Sequence, residues 1–272
     1  MITNKLATNW QWKTLNGLPY LTCNFLKQWN HGFLTRSFHP LSPEKIGRFF
    51  HSDVTNYQLK QVHSNLILSS NEIDKFSLKN SALLGDGIIS NKKKQALWVA
   101  SADCVPILIG DCKTGYVAAI HAGWKGTAQR IVPEAIIRLQ DWGSSLENLY
   151  IAIGPAINGR LYQVSRSVAT KILVSLDNKS NLGKKLKPLN NIPISFNQKR
   201  DKVYINIAQI NQIQLEQLGV DKDKISIAPY CTYQSSSNFF SYRRTGARQV
   251  QWSLIISCLL YTSDAADEVD RV

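Results

Sequence analysis

The chain has 272 residues, 44% of them apolar and 19% charged, a balance that excludes wholesale disorder and allows a sizeable core without disulfides. Its formal net charge of +13 favours anionic partners, whether phosphate, nucleotide or nucleic acid. No apolar run approaches the ~18–20 residues of a membrane-spanning helix, and Met1–Leu6 lacks the apolar stretch of a signal peptide, so a cytoplasmic protein with no membrane partner is expected.

Taken in chain order, strands are predicted near Leu21–Phe25 and Gly32–Thr35, and Ser42-Pro43 starts a short helix. Tyr57–Leu68 alternates as strands would around His63. Four short apolar runs read as buried strands: Ile88–Ile89, Ala96–Ala100, Val105–Ile109 and Tyr116–Ile120. Thr127 is placed as the cap of a helix reaching Trp142, with Ile131, Val132, Ala135, Ile136 and Leu139 as its apolar stripe, Arg130 on its solvated side and Gly143 ending it. A strand follows at Leu149–Ile153, then a helix at Ser165–Leu176. The Lys- and Asn-rich stretch Asp177–Lys199 reads as a flexible insertion. A third helix at Asn206–Leu218 and strands at Ile225–Ala228 and Val250–Ile256 complete the order. Strands alternating with helices, together with hairpin-like pairs, give the α/β class: a single layered domain with a mixed β-sheet flanked by helices, over residues 1–257.

From Cys258 onward the sequence has no core periodicity and turns from basic to acidic, with Asp264, Asp267, Glu268 and Asp270 against Arg271. It resembles the translation of a transposon-type adapter used in preparing sequencing libraries. Residues 258–272 are therefore expected to be a non-native read-through tail beyond an end near Ser257, and they are set aside from the fold.

The five cysteines are odd in number and form no CxxC, which argues against a disulfide scaffold or a zinc ribbon. Three segments can carry chemistry: Gln61-Val62-His63, Ser101-Ala102-Asp103-Cys104 and His121-Ala122-Gly123-Trp124-Lys125-Gly126-Thr127. Each puts a His or Cys at a strand end or turn. Two imidazoles and one thiolate suit zinc, and three protein ligands leave a fourth position open, as in catalytic rather than structural sites. The residues alone also allow, and by themselves favour, a buried Cys104 and two hydrogen-bonded histidines.

The blocks Lys60-Gln61-Val62-His63, Gly85-Asp86-Gly87-Ile88-Ile89, Ala102-Asp103-Cys104-Val105-Pro106, Ile120–Thr127, Ile153-Gly154-Pro155-Ala156-Ile157 and Phe239-Phe240-Ser241-Tyr242-Arg243-Arg244 occur in this order. Together they resemble the laccase-domain family, also called peptidoglycan editing factor or purine nucleoside phosphorylase family, over roughly Gly32 to Ser257. The resemblance implies a zinc site of His63, Cys104 and His121. It also implies phosphorolysis of adenosine, inosine and methylthioadenosine, with adenosine deamination as a further activity. Purine nucleosides and phosphate are then the partners of a monomer or homodimer. Older labels in the family are polyphenol oxidase and a role in editing peptidoglycan precursors. The chain departs from the family pattern at Ser37-Phe38-His39-Pro40, where a Gly-Gly-Val-Ser loop is usual, and at Lys125 and Gln163, where Arg and Glu are common.

On this reading Cys104, His63 and His121 are catalytic as well as metal-binding, and Asp103 supports them by orienting a ligand. Arg243, Arg244, Lys125 and Arg36 are the substrate-binding cations, the guanidinium groups offering bidentate donors to an oxyanion. A multicopper oxidase needs many paired histidines. This chain has five histidines and no HxH, so redox copper chemistry is not expected, although one copper can occupy the zinc site. Two alternatives stand beside this reading. One is a cysteine hydrolase editing peptidoglycan precursors, with Cys104 as nucleophile and His121 or His63 as base. The other is a nucleic-acid-binding module, prompted by the charge. The dispersed lysines, clustered only at Lys92–Lys94 and Lys184–Lys185, speak against nucleic acid.

Overall fold

A computed structural model describes residues 9–77, 82–176, 193–197 and 202–258. In chain order the strands are β1 (Trp10–Leu15), β2 (Leu18–Cys23), β3 (His31–Leu34), β4 (Thr55–Tyr57), β5 (Ile67–Ser69), β6 (Gly87–Ser90), β7 (Gln95–Ser101), β8 (Val105–Asp111), β9 (Val117–Ala122), β10 (Leu149–Ile153), β11 (Gln163–Val164), β12 (Ile194–Asn197), β13 (Lys202–Ile205), β14 (Ile225–Ile227) and β15 (Gln251–Ile256). The helices are α1 (Pro43–Phe50), α2 (Ser70–Ser77), α3 (Trp124–Ala128), α4 (Ile131–Asp141), α5 (Arg166–Ser175), α6 (Ile207–Leu218) and α7 (Tyr242–Thr245).

Two six-stranded mixed sheets organise the molecule, in the orders β1-β2-β3-β15-β7-β4 and β14-β10-β8-β9-β6-β5, with a small third sheet β11-β13-β12. In the first sheet only the β4–β7 pair is parallel. In the second, both edge strands pair in parallel and the interior is antiparallel. Alternation along each strand assigns its residues to opposite faces. Leu21, Phe33, Leu97, Val99 and Ile255 of the first sheet meet Ile88, Leu108, Val117, Ala119 and Ala152 of the second in the core between the sheets. The opposite row of the second sheet, including Ile107, Ile109, Ile120, Ile151 and Ile153, packs on α4, α5 and α6. The outer row of the first sheet, including Leu34, Trp98 and Leu254, packs against Ile46 and Phe50 of α1. The layers therefore run helix, sheet, sheet, helix. The α/β layered architecture is as expected, but it is built on two large sheets rather than one. Strands covered on both faces read as continuous apolar runs, and such runs do not say which sheet they join.

Several elements differ from the sequence expectation. The helix placed from Thr127 to Trp142 is broken, because Arg130 takes a left-handed conformation (φ 61°) between α3 and α4. Thr127 lies inside α3, where its hydroxyl accepts from Asn211 Nδ2 and its carbonyl from Gln214 Nε2, so it anchors α3 to α6 instead of capping α4. Arg130 is not on a solvated face; it is partly buried and donates to the Ser175 carbonyl. The α4 stripe is as expected: Ile131, Val132, Ala135, Ile136 and Leu139 are fully buried, each Ile or Leu contributing ~1.5–3 kcal/mol. Within the segment read as an insertion, Ile194–Asn197 forms β12 and pairs with β13, while residues 177–192 and 198–201 lie outside the described residues, as does the tail from 259. Residues 58–66, expected as strand, form a loop between β4 and β5. Its one strand-like link is a bridge between Lys60 and Leu84.

Candidate metal centre

Antiparallel register builds most of the site. Strands β8 and β9 pair Val105 with Ala122 and Pro106 with His121, so Cys104, just before β8, falls opposite Gly123, just after β9. Strand β6 pairs Gly87 with Ile120, which sets Asp86 beside His121. His121 continues the row Val117–Ala119 that faces the first sheet. The third member, His63, arrives from the loop after β4 in a left-handed conformation (φ 60°).

That loop is clamped at both ends. Gln61 accepts from the Ala100 amide at 2.7 Å and donates to the Ala100 carbonyl at 2.8 Å, mimicking a strand pair on β7. The carboxylate of Asp86 accepts from the backbone amides of Val62, His63 and Ser64 at 3.2, 2.9 and 2.7 Å, and from the Ser64 hydroxyl at 2.8 Å. The same carboxylate bonds His121 Nδ1 at 2.9 Å. Asp86 therefore fixes the backbone of one histidine and the ring of the other.

The ligand atoms of His63, Cys104 and His121 all lie within 4.8 Å of one another, the one such group of His, Cys and carboxylate side chains among the described residues. Cys104 Sγ is 3.9 Å from His63 Nε2, and an ion bonded to sulfur at ~2.3 Å and nitrogen at ~2.0 Å can span that gap. The imidazole rings stand at 87° with centroids 4.8 Å apart. His121 is buried, Cys104 half-buried and His63 exposed, so one side of the cluster is open. Gly123 leaves room there: a Cβ would sit 3.0 Å from His63 Cδ2 and 3.1 Å from Cys104 Sγ, a tight contact that would press on both side chains. Two nitrogens and a sulfur with an open side fit zinc or copper as the resident ion.

Electrostatics prepare the donors. Burial pushes the Cys104 thiol up, but hydrogen bonds and charge from His121 and His63 outweigh it and bring the thiol down to about 6. Burial works against the charged form of His121, yet Asp86 and Cys104 raise it to about 9. Asp86 is held down to about 2, because the bonds from His121 and Ser64 outweigh its own burial. Without an ion this pairs a thiolate with an imidazolium, whose Nε2 proton must leave before that nitrogen can bind a metal; the Asp86 bond at Nδ1 leaves Nε2 facing the cluster.

The other expected site residues make their contacts outside the three-residue cluster. Asp103 takes a left-handed turn (φ 94°) and directs its carboxylate away from the ligands, accepting from the Thr232 hydroxyl and the Arg243 amide, both at 2.7 Å. Arg243 is exposed; its guanidinium lies 5.1 Å from the centroid of the Tyr162 ring and donates to the Gln163 carbonyl at 3.1 Å. Arg244 donates to the carbonyls of Thr232, Tyr233 and Phe239, so its guanidinium is engaged in holding that loop. Arg36 donates to the Ser236 carbonyl and lies 4.8 Å from the Phe240 ring centroid. The Lys125 ammonium is 5.8 Å from the Trp124 ring. Asp86, Gln61, Gly123 and Tyr162 are additions that sequence reasoning left without a role. An acid between two glycines at Gly85-Asp86-Gly87, entering a strand, was the available signal for Asp86.

The fold and site define a class: a two-sheet α/β domain with a candidate three-ligand centre, open on one side, at the strand ends. The family model described as multi-copper polyphenol oxidoreductase laccase matches residues 45–257, and the chain belongs to that family. It is 42% identical over 256 residues to purine nucleoside phosphorylase slr1573 of Synechocystis sp., spanning 91% of this chain and 97% of that protein. A relative named adenosine deaminase RL5, from an unknown prokaryotic organism, is 30% identical over 169 residues, 62% of this chain and 60% of that one. In structure, the YfiH protein of Bacillus licheniformis shares the fold with a TM-score of 0.76 at 22% identity, covering 91% of this chain and 99% of its own.

Proposed function

We propose that this chain is a zinc-dependent purine nucleoside phosphorylase that cleaves adenosine, inosine and methylthioadenosine and also deaminates adenosine. The convergence of His63, Cys104 and His121 on one open point carries this reading. The name of the 42% identical relative supports the phosphorolytic activity, and that of the 30% identical relative supports the deaminase. One three-ligand cluster among the described residues, with five histidines and no HxH in the chain, favours a single ion over a multicopper centre.

His63, Cys104 and His121 would hold the ion, which when bound supplies a Lewis acid and lowers the pKa of coordinated water. Asp86 fixes the His121 tautomer, and Gly123 keeps the approach clear. In phosphorolysis a phosphate oxygen bonds C1′ of the sugar as the bond to the purine nitrogen breaks and the electron pair leaves with the base. Arg243, an exposed guanidinium over the Tyr162 ring, would hold phosphate, at roughly 1.5–3 kcal/mol per charge-assisted hydrogen bond. Tyr162 is pushed up to about 12, chiefly by burial and then by the Cys104 charge, so its hydroxyl stays protonated at neutral pH and serves as a donor to substrate.

The zinc-loaded protein incubated with adenosine and phosphate is expected to give adenine and ribose 1-phosphate, and without phosphate to give inosine and ammonia. Neither product pair forming would overturn the proposal.

A second reading is favoured by one observation: Cys104, His121 and Asp86 stand in line as nucleophile, base and orienter do in cysteine hydrolases. On that reading the substrate is an amide of a peptidoglycan precursor, and chelators leave activity intact.

A further inference from the structure

We infer that Asp103 is a positioning residue for phosphate: it ties the turn bearing Cys104 to the arm that carries Arg243, and so sets where that guanidinium meets the oxyanion. The inference rests on the reading of Arg243 given above and extends it to a residue that touches neither ion nor phosphate.

The Asp103 carboxylate is buried, and both of its oxygens are used on one loop, by the Thr232 hydroxyl and the Arg243 amide. Its own carbonyl accepts from Ile157 at 3.1 Å, which pins the turn to the chain beyond β10. Thr232 is held in addition by its amide bond to the Ala156 carbonyl and by Arg244 at its carbonyl. The arm between Thr232 and Arg243 thus has few ways to move without breaking a bond to Asp103. Arg243 leaves this anchor to lie over the Tyr162 ring. The turn itself is a left-handed one, which Asp, Asn and Gly adopt more readily than other residues.

That backbone requirement selects the variants. Asp103→Gly removes both side-chain bonds and suits the positive φ. Asp103→Asn keeps both bonds, its oxygen accepting from the Arg243 amide and its NH2 donating to the Thr232 hydroxyl, while losing the charge. Thr232→Val removes one bond without touching the turn. Each is made in the full chain, loaded with zinc, and read by bound zinc per chain and by KM for phosphate and kcat with adenosine.

The expected result is one zinc per chain throughout, with KM for phosphate raised about tenfold in Asp103→Gly. Thr232→Val should show a smaller rise, Asp103→Asn should stay near wild type, and Asp103→Gly should cause no further rise in an Arg243→Ala background. Loss of zinc in Asp103→Gly would overturn the inference by making Asp103 a support of Cys104. Failure of Asp103→Asn to rescue would overturn it in favour of a charge or proton-transfer role, and so would effects of Asp103→Gly and Arg243→Ala that simply add. If Arg243→Ala raises KM and Asp103→Gly does not, the inference alone falls. If Arg243→Ala leaves KM unchanged, the reading of Arg243 falls first and takes the inference with it.

Discussion

Asp86 accepts five hydrogen bonds, counting the His121 ring, and no apolar or neutral residue of its size can do the same. Because it fixes two of the three ligands, Asp86→Ala is predicted to weaken zinc binding 10–100-fold, the usual cost of losing a ligand's support. Competition with a chromophoric chelator measures this, and unchanged affinity would show that the ligands orient themselves. His31 is a different kind of histidine. Its Nε2 accepts from the Cys23 amide and its Nδ1 hydrogen-bonds the Trp29 carbonyl, both at 2.9 Å, inside the core. Burial lowers its pKa to about 4 from 6.5. As pH falls below 6.5 the unfolded chain takes up a proton that the folded chain refuses until about 4. Stability is therefore complete above that window and declines through it, by up to ~3 kcal/mol. Urea unfolding of the metal-free protein at pH 7 and pH 5 should show a shallower decline in His31→Gln than in wild type. Equal declines would exclude His31 as the source.

At the scale of elements, the two sheets approach closely where β10 ends. A Cβ on Gly154 would lie 2.2 Å from two atoms of the Phe33 ring, which belongs to β3 of the other sheet. Gly154→Ala should destabilise the fold by about 1–3 kcal/mol or more through overpacking. Thermal unfolding measures it, and an unchanged midpoint would mean the sheets can separate there at no cost. Elements with plain local signals were legible in the sequence: α4 from its apolar stripe, α6 as the helix over Asn206–Leu218, and β7 to β10 from short apolar runs. Helix α2 was also legible but passed over. Ser69 and Glu72 bond each other's amides, Glu72 accepting at 2.6 Å and Ser69 at 3.1 Å, which is the capping box spelled Ser-x-x-Glu. The break at Arg130 was not legible, since it answers to the tertiary bonds of Thr127 with α6, and neither was the loop at His63, whose alternation imitates a strand.

For the whole molecule, the three residues of the candidate metal centre stood out in the sequence because each stands in a distinctive block. The groups that organise them act across the fold, with Asp86 reaching 23 residues back to His63 and Asp103 reaching 140 residues on to Arg243. Contacts at such separations depend on the pairing of strands, which no local pattern specifies. The C-terminal end poses a test of its own. Ser257 is tied to β7 by its amide to the Gln95 carbonyl and by its hydroxyl to the Gln95 amide, both at 3.0 Å, whereas Cys258 is exposed. Truncation after Ser257 should leave thermal stability and zinc content unchanged, and a large drop in the melting midpoint would show that residues 258–272 belong to the fold.

The most direct measurement of the central claim is zinc content and adenosine phosphorolysis on one preparation, before and after exhaustive chelation and after zinc is returned. The account predicts about one zinc per chain, activity lost with the metal and restored with it, and both absent in His63→Ala, Cys104→Ala and His121→Ala proteins that remain folded, since a three-ligand site does not survive the loss of one ligand. A chelated protein that keeps full activity would contradict it and leave Cys104 as a nucleophile acting without metal.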